Sequence, residues 1–255
     1  MSKNKTNEGV RKINEELGRG FDGISSQEMQ RRSNSSRKVL SLCNILRRSS
    51  KDFGSTELVA QQLLALEKYF CGNYFDIQGI WQKYKNLSGK NIEKLVSGNE
   101  ADVYILAEKD YRHVVKIAQW NAFSFRRDIN QTPLEFLINK TVLHNTVFPD
   151  TFYKLAGACY NRNEFSFVFD QQYVNQLLDT SGSIVKADFD EIRTNMELRG
   201  FRLKHKSLTT YISEDYFVSD LHSGNVLKGA DNELYYIDPV VRLNKFNRDY
   251  ESLFV

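Results

Sequence analysis

Apolar residues along this chain follow two spacings, and the change from one to the other marks out its elements. In residues 55–70, STELVAQQLLALEKYF, Leu58, Leu63, Leu66 and Phe70 recur at helical spacing behind Ser55 or Thr56 as a cap, which predicts a helix. Cys71-Gly72-Asn73 ends it, and Ile77, Ile80, Trp81 and Tyr84 at i, i+3, i+4 and i+7 predict a second, closed by the turn 88–91. From residue 92 the period drops to two. Residues 92–96, 102–106 and 113–117 read as three antiparallel strands joined by turns at 97–101 and 108–110. Thr132-Pro133-Leu134-Glu135 has the form of a helix start: a Thr cap, Pro at the first helical position and Glu at the third. Leu134, Leu137, Ile138, Val142 and Leu143 carry that helix on. Residues 152–160 and 165–169, either side of Asn161-Arg162-Asn163-Glu164, predict a hairpin that completes a five-stranded sheet. Beyond the connection 170–174 come a helix over about 186–199, ended by Gly200, two short strands at 201–203 and 208–212, and the run 217–241, FVSDLHSGNVLKGADNELYYIDPVV. In that run Gly229-Ala230-Asp231-Asn232 reads as the turn of one more hairpin.

Composition narrows the class. The chain has 255 residues, enough for one large or two small domains. It has no 18-residue apolar stretch, so no transmembrane helix is expected, and the polar first 20 residues hold no secretory h-region. Three scattered cysteines, Cys43, Cys71 and Cys159, argue against a disulfide framework or a zinc site and fit a reducing cytoplasm. The net charge of +3 is unevenly spread: residues 1–51 carry +7 and the remainder −4. Residues 1–54 therefore read as a basic, partly disordered arm, with at most a weak helix before Arg37 and a short apolar patch (Val39, Leu40, Leu42, Ile45, Leu46) able to dock. Such an arm can contact nucleic acid or a protein partner, or it can be a solvated linker. Few aromatic residues interleave its charges, which favours the linker.

The candidate chemistry sits in 217–241. Asp220 opens Asp-Leu-His-x-x-Asn, Asn225 closes it, and Asp238 follows the apolar run 234–237. A hairpin returning the chain beside itself sets Asn225 and Asp238 on one lip. Two oxygen donors there, completed by phosphate oxygens, suit Mg²⁺. Asp220 is then the carboxylate left to orient a hydroxyl and take its proton. His222, with no second histidine near it in sequence, reads as a loop-packing residue. Upstream, Lys116 lies between Val115 and Ile117 on a strand, so its side chain leaves the face those two occupy, and an ammonium so placed wants an anion.

The spacing of Asp220, Asn225 and Asp238 resembles the catalytic and metal-binding segments of the protein-kinase-like superfamily. The wording Asp-Leu-His-x-x-Asn and Ile-Asp-Pro is similar to aminoglycoside phosphotransferases and, more closely, to the kinase domain of polyvalent proteins of phages and conjugative elements. The resemblance covers roughly residues 55–250. It implies an α+β, protein-kinase-like two-lobed fold: a five-stranded antiparallel N-lobe sheet within 55–171 and a minimal C-lobe over 172–255. It also implies a cytoplasmic ATP- and Mg²⁺-dependent phosphotransferase acting on a hydroxyl, of a protein rather than a small molecule, with no membrane involvement. Asp220 would be the catalytic base, and Asn225 and Asp238 would hold the metal. Lys116 would bind phosphate, with Gly98, Asn99 and Val103 lining the nucleotide. Residues 170–174 would stand at the hinge. Glu135, the only acidic residue between Thr132 and Pro149, would position Lys116, although a Glu at that point in a helix also serves as a capping-box residue, and the two roles can alternate. Departures are plain. The glycine loop holds Gly98 alone, Val218 stands where the family has a histidine, Pro239 follows Asp238, and no Ala-Pro-Glu segment follows. These departures keep a second reading open, that of a pseudokinase or nucleotide-binding adaptor of a mobile element.

Overall fold

A computed structural model describes residues 26–49, 55–70, 81–82, 92–97, 101–107, 112–121 and 132–244. It divides into two compact units. Among the described residues, one comprises those within 26–142 with 153–173, the other 143–152 with 174–244.

The first unit is built on an antiparallel sheet of five strands, β1 (Ile92–Ser97), β2 (Ala101–Ala107), β3 (Arg112–Gln119), β4 (Lys154–Asn161) and β5 (Glu164–Gln172), in the order β1-β2-β3-β5-β4. The period-two pattern assigns its faces. Val115 and Ile117 of β3 join Leu106, Cys159 and Val168 in one buried cluster, against which Trp81, Ile92 and Tyr104 pack. Trp81 and Tyr104 have ring centres 4.3 Å apart. Residues of the opposite parity, Phe167 and Phe169, meet Phe136 at 5.7 and 6.3 Å. Phe136 belongs to a short helix, Pro133–Leu137, that comes between β3 and β4 in the chain.

The helix expected over 55–70 is present (Ser55–Phe70). Of the second expected helix only Trp81 and Gln82 fall within the described residues, and both are helical. The expected arm needs correction over its second half, because residues Ser26–Ser49 form a 24-residue helix. In chain order these three long or short helices are α1 (Ser26–Ser49), α2 (Ser55–Phe70) and α3 (Pro133–Leu137). Helix α1 packs on α2, α3 and β4. Arg32, Ser35, Val39, Leu42 and Cys43 are its buried positions. Their spacing of three, four, three and one makes a single stripe, and only its last three members are apolar, so the hydrophobic pattern stops short while the helix continues. Gln62 of α2, also buried, accepts a hydrogen bond from the Leu134 N–H (3.0 Å) at the start of α3.

The second unit has shorter elements. Strands β6 (Arg202–Leu203), β7 (Tyr211–Ile212), β8 (Tyr216–Ser219) and β11 (Val240–Leu243) form a sheet in the order β11-β8-β7-β6, and β9 (Val226–Lys228) pairs with β10 (Leu234–Tyr236) as the expected hairpin. Helix α4 (Phe189–Leu198) begins in a capping box between Asp188 and Glu191. Residues 143–152 belong with this unit, across the boundary expected at 171/172. The Thr151 hydroxyl donates to the Tyr236 carbonyl (2.7 Å), and Phe148 stacks on Tyr236 at 4.5 Å. The Tyr236 hydroxyl in turn donates to Asn195 of α4 (2.8 Å), and the Arg199 guanidinium lies 5.2 Å from the Tyr236 ring centre. Burial raises the Tyr236 pKa above the ordinary phenol range, so the hydroxyl stays protonated as this bond requires. Among the described residues no helix is long and apolar enough to cross a membrane.

Candidate functional site

The candidate residues fall into two groups, one in each unit. In the sheet unit, Lys116 stands in the middle of β3, with Val103 of β2 and Phe169 of β5 directly opposite. Strand bonding on both sides fixes its backbone, and alternation turns its side chain off the Val115/Ile117 face. The side chain is 3% exposed, and its ammonium donates to the Tyr153 hydroxyl at 2.8 Å. Gly98 and Asn99 lie outside the described residues.

Of the two roles open to Glu135, the cap is the one occupied. The Thr132 N–H donates to the Glu135 carboxylate (2.8 Å), and the Glu135 N–H donates to the Thr132 hydroxyl (3.2 Å). This reciprocal box satisfies two otherwise orphaned N–H groups at the start of α3. The continuation of α3 was not legible in the sequence. The helix widens into a π-helical turn over Ile138–Leu143. Three successive polar residues, Asn139, Lys140 and Thr141, are buried there. The Lys140 ammonium lies 4.9 Å from the centre of the Tyr153 ring. Neither Lys140 nor Tyr153 was singled out by pattern. A lysine in a helix normally sends its head to water, and nothing in the residue order announces a π turn.

In the second unit, β8 ends at Ser219 and Asp220 follows with φ +66°, the left-handed region that L-residues seldom occupy. Its strain is offset by local bonds. The Asn225 amide Nδ2 donates both to the Asp220 carboxylate (2.8 Å) and to the Asp220 backbone carbonyl (3.0 Å). The next residue, Leu221, is buried, and its N–H donates to the Thr209 carbonyl (3.1 Å), which pins the loop to its own sheet. The Ile237 N–H donates to the Asn225 carbonyl (2.9 Å), extending the β9–β10 register by one bond. Asp238 follows Ile237, and two residues further Val240 pairs with Ser219. The hairpin and the β8–β11 ladder thus bring Asp220, Asn225 and Asp238 to one end of this unit.

Val218, where the family has a histidine, is fully buried, paired with Tyr211 on one side and Val241 on the other. An imidazole would meet an apolar setting there. His222 does not pack into the loop as expected. It is about half exposed, its Nδ1 accepts from the Gly224 N–H (3.0 Å), and its Nε2 stands 3.6 Å from the Asp220 carboxylate. A Cβ at Gly224 would come within 2.8 Å of that ring and would push it aside. Sequence spacing placed His222 near Asp220, but the turn that directs the ring outward is a tertiary detail.

Asp220 is exposed enough to meet a substrate. Asn225, donating with Nδ2, keeps its Oδ1 lone pairs for a cation, and Asp238 supplies a hard anionic oxygen. This donor set fits Mg²⁺, which takes one or two protein oxygens and completes its shell with phosphate and water. No group of three or more His, Cys, Asp or Glu side chains gathers among the described residues, so a closed, all-protein metal cage is not what this region offers.

The sequence family described as Serine/Threonine/Tyrosine Kinase found in polyvalent proteins matches residues 65–245. That span contains every residue named above as a candidate, from Gly98 to Asp238. No curated protein gives a significant match to the chain.

Proposed function

The chain belongs to the serine/threonine/tyrosine kinase family found in polyvalent proteins, and from that premise we propose that it transfers the γ-phosphate of ATP, with Mg²⁺, to a hydroxyl of a protein. In this reading the sheet unit is the N-lobe and the second unit a reduced C-lobe. The observation that carries it is the hydrogen bond from Asn225 to the Asp220 carboxylate, because it orients the base and leaves the amide oxygen for metal with one side chain.

Asp220 accepts the proton of the attacking hydroxyl as the new oxygen–phosphorus bond forms and the bond to the β–γ bridging oxygen breaks, releasing ADP. Asn225 and Asp238 hold Mg²⁺, which neutralises phosphate charge when bound. Lys116 binds the phosphates, with Val103 beside it on β2 and Gly98 and Asn99 in the covering loop. Glu135 sets α3 through its cap and exchanges that bond for Lys116 only if the helix start rearranges. The chemistry needs little covalent work from the protein, since positioning and charge stabilisation supply most of it. A reducing cytoplasm suits the buried free thiols of Cys43 and Cys159, the latter raised to about 12 by burial and so unreactive.

Thermal unfolding with ATP, Mg²⁺ and both tests the reading, on wild type and Asp238→Ala. Nucleotide at 100 times its dissociation constant stabilises a binder by about 2.7 kcal/mol. A shift that needs Mg²⁺ and is lost in Asp238→Ala is expected. No shift under any condition rejects ATP binding. Binding without transfer to any protein hydroxyl favours the adaptor reading, to which the buried Val218 and the capped Glu135 lend some weight.

A further inference from the structure

The hairpin that joins β6 to β7 carries charge that its own unit does not use. Residues 202–213 hold Arg202, Lys204, His205 and Lys206 but no Asp or Glu, although the chain from residue 52 on has a net charge of −4. All four side chains are exposed, and among the described residues no carboxylate pairs with any of them. The carboxylates next along the chain, Glu214 and Asp215, lie in the β7–β8 turn at the other end of the sheet. Register sorts the two faces of that sheet. Leu203, Tyr211 and Val218 are aligned across β6, β7 and β8, and the last two are fully buried. Lys204 has the opposite parity, and its ammonium lies over the Phe217 ring, 5.1 Å from its centre. At the tip of the hairpin Leu208 is 70% exposed.

This hairpin ends where the Asp220 loop begins. The Lys204 N–H donates to the Thr210 carbonyl (2.8 Å), and the Leu221 N–H donates to the Thr209 carbonyl (3.1 Å). Neighbouring strands lie about 4.8 Å apart, so two spacings, about 10 Å, separate the Lys204 backbone from that of Asp220. An extended peptide covers that distance in about three residues. Like charges gathered on one short hairpin repel each other and lend the fold nothing, but they raise the potential over the ground beside Asp220. Separate cations with an exposed leucine among them match a chain bearing several carboxylates better than they match one small anion.

We propose that the hairpin 202–209 docks an acidic segment of the protein to be phosphorylated, with carboxylates about three residues from the acceptor hydroxyl. The proposal rests on the phosphotransfer reading above and adds to it the substrate class: a hydroxyl set in an acidic stretch of chain.

The test is a fluorescence-anisotropy titration of the full chain with two labelled serine peptides, one flanked by glutamates at that spacing and one by glutamines. The acidic peptide should bind the wild type more tightly, and its advantage should fade as added salt screens the charges. Two exposed ion pairs lost and two repulsions gained correspond to about tenfold or more, so Lys204→Glu with Lys206→Glu should weaken the acidic peptide by that much and leave the glutamine peptide within about twofold. The same change of net charge in the sheet unit, at the exposed Lys68 and Lys154 (Lys68→Glu with Lys154→Glu), should leave the acidic peptide within about twofold. Equal binding of the two peptides overturns the proposal, as does an equal loss in the sheet-unit variant, which would mark an effect of net charge alone. A single-stranded oligonucleotide held through Lys204 and Lys206 more tightly than the acidic peptide also overturns it, in favour of a nucleic-acid site. Should the double reversal not fold, Lys204→Gln with Lys206→Gln removes the charges without adding repulsion and is judged by the same criteria. Transfer from Mg·ATP is read separately on both peptides. Lysine-dependent binding of the acidic peptide without transfer keeps the docking site and removes the phosphotransfer reading. Transfer to both peptides at equal kcat/KM, with equal binding, keeps that reading and removes the docking site.

Discussion

Lys116 and Asp220 are held by opposite means. Lys116 sits inside a strand bonded on both sides, in a sheet whose faces are filled by Val115, Ile117, Phe167 and Phe169. Asp220 sits in a loop, in a left-handed backbone conformation, steadied by one amide and a few main-chain bonds among strands of two to four residues. In the sheet unit the candidate residue is part of the packing, so on the proposed reading function and stability should fail together. In the second unit the candidate residue is exposed, so function should be separable from fold. On the proposed reading the labour divides accordingly: a rigid half sets where charge lies, and a loop-built half presents the reacting group.

Changes in each half test this contrast. The largest effect is expected from Phe167→Ala. It removes a fully buried ring that contacts Phe136, Phe165 and Phe169, and should cost about 3–5 kcal/mol in urea unfolding. The signal to follow is tryptophan fluorescence, since both tryptophans, Trp81 and Trp120, belong to the sheet unit. A loss under about 1 kcal/mol would mean that the sheet is not the rigid half.

Asp220→Asn should do the reverse. Transfer should drop by ~10²–10⁴-fold with nucleotide binding kept, and the unfolding midpoint should move by no more than about 0.5 kcal/mol. A large fall in stability would show that the loop, too, is structural.

Thr132→Ala removes one half of the capping box and should destabilise by about 1 kcal/mol. It also sharpens the question of Glu135. If the carboxylate moves to Lys116 once released, ATP affinity should change in the variant, whereas a simple cap leaves affinity as it was.

The smallest effect is a pH dependence confined to the loop-built unit. The Ser181 hydroxyl and the Ser183 and Ser181 N–H groups hold the Asp179 pKa down. The Lys228 ammonium does the same for Glu191, and the Tyr235 hydroxyl for Asp231. A carboxylate whose folded pKa is depressed stabilises the fold above its unfolded pKa of about 4, and that contribution is lost as pH falls through the folded value. Exchange of the Ser183, Asp188 and Glu233 amides, each bonded to one of these three carboxylates, should therefore quicken, after allowance for intrinsic rates, as pH drops below about 4. Protection that does not change across that range would remove the claim.

Much of the rigid half was legible in the sequence because strands leave short apolar runs between turn residues, as at 113–117 and 165–169, even though β5 is buried on five consecutive residues rather than on alternate ones. The hairpin around Asp220, Asn225 and Asp238 was legible for another reason, since turn residues and polar positions at fixed offsets leave a local signature. Legibility ended where tertiary structure decides. Helix α1 buries Arg32 and Ser35 beside Val39, so its N-terminal half looks unlike a docked helix until its partners α2 and β4 are present. The π turn is a hydrogen-bond register, not a residue preference, and the burial of Lys140 belongs to a stretch, 136–141, covered at every position, which no periodic pattern announces. The grouping of residues 143–152 with the C-terminal unit depends on Thr151 and Phe148 meeting Tyr236, contacts between residues 85 positions apart in the case of Thr151.

That last grouping has a bearing on biosynthesis. Every described residue of the sheet unit precedes residue 174, so a ribosome making the chain N-terminus first can release a sheet that already has all its strands. The segment 143–152 emerges in the middle of that unit but belongs elsewhere, and Thr151 must wait for Tyr236 to be synthesised, several seconds later at about 5–20 residues per second. During that interval Phe148 has an aromatic face with no Tyr236 to stack on, so this short stretch leaves the ribosome as exposed apolar surface.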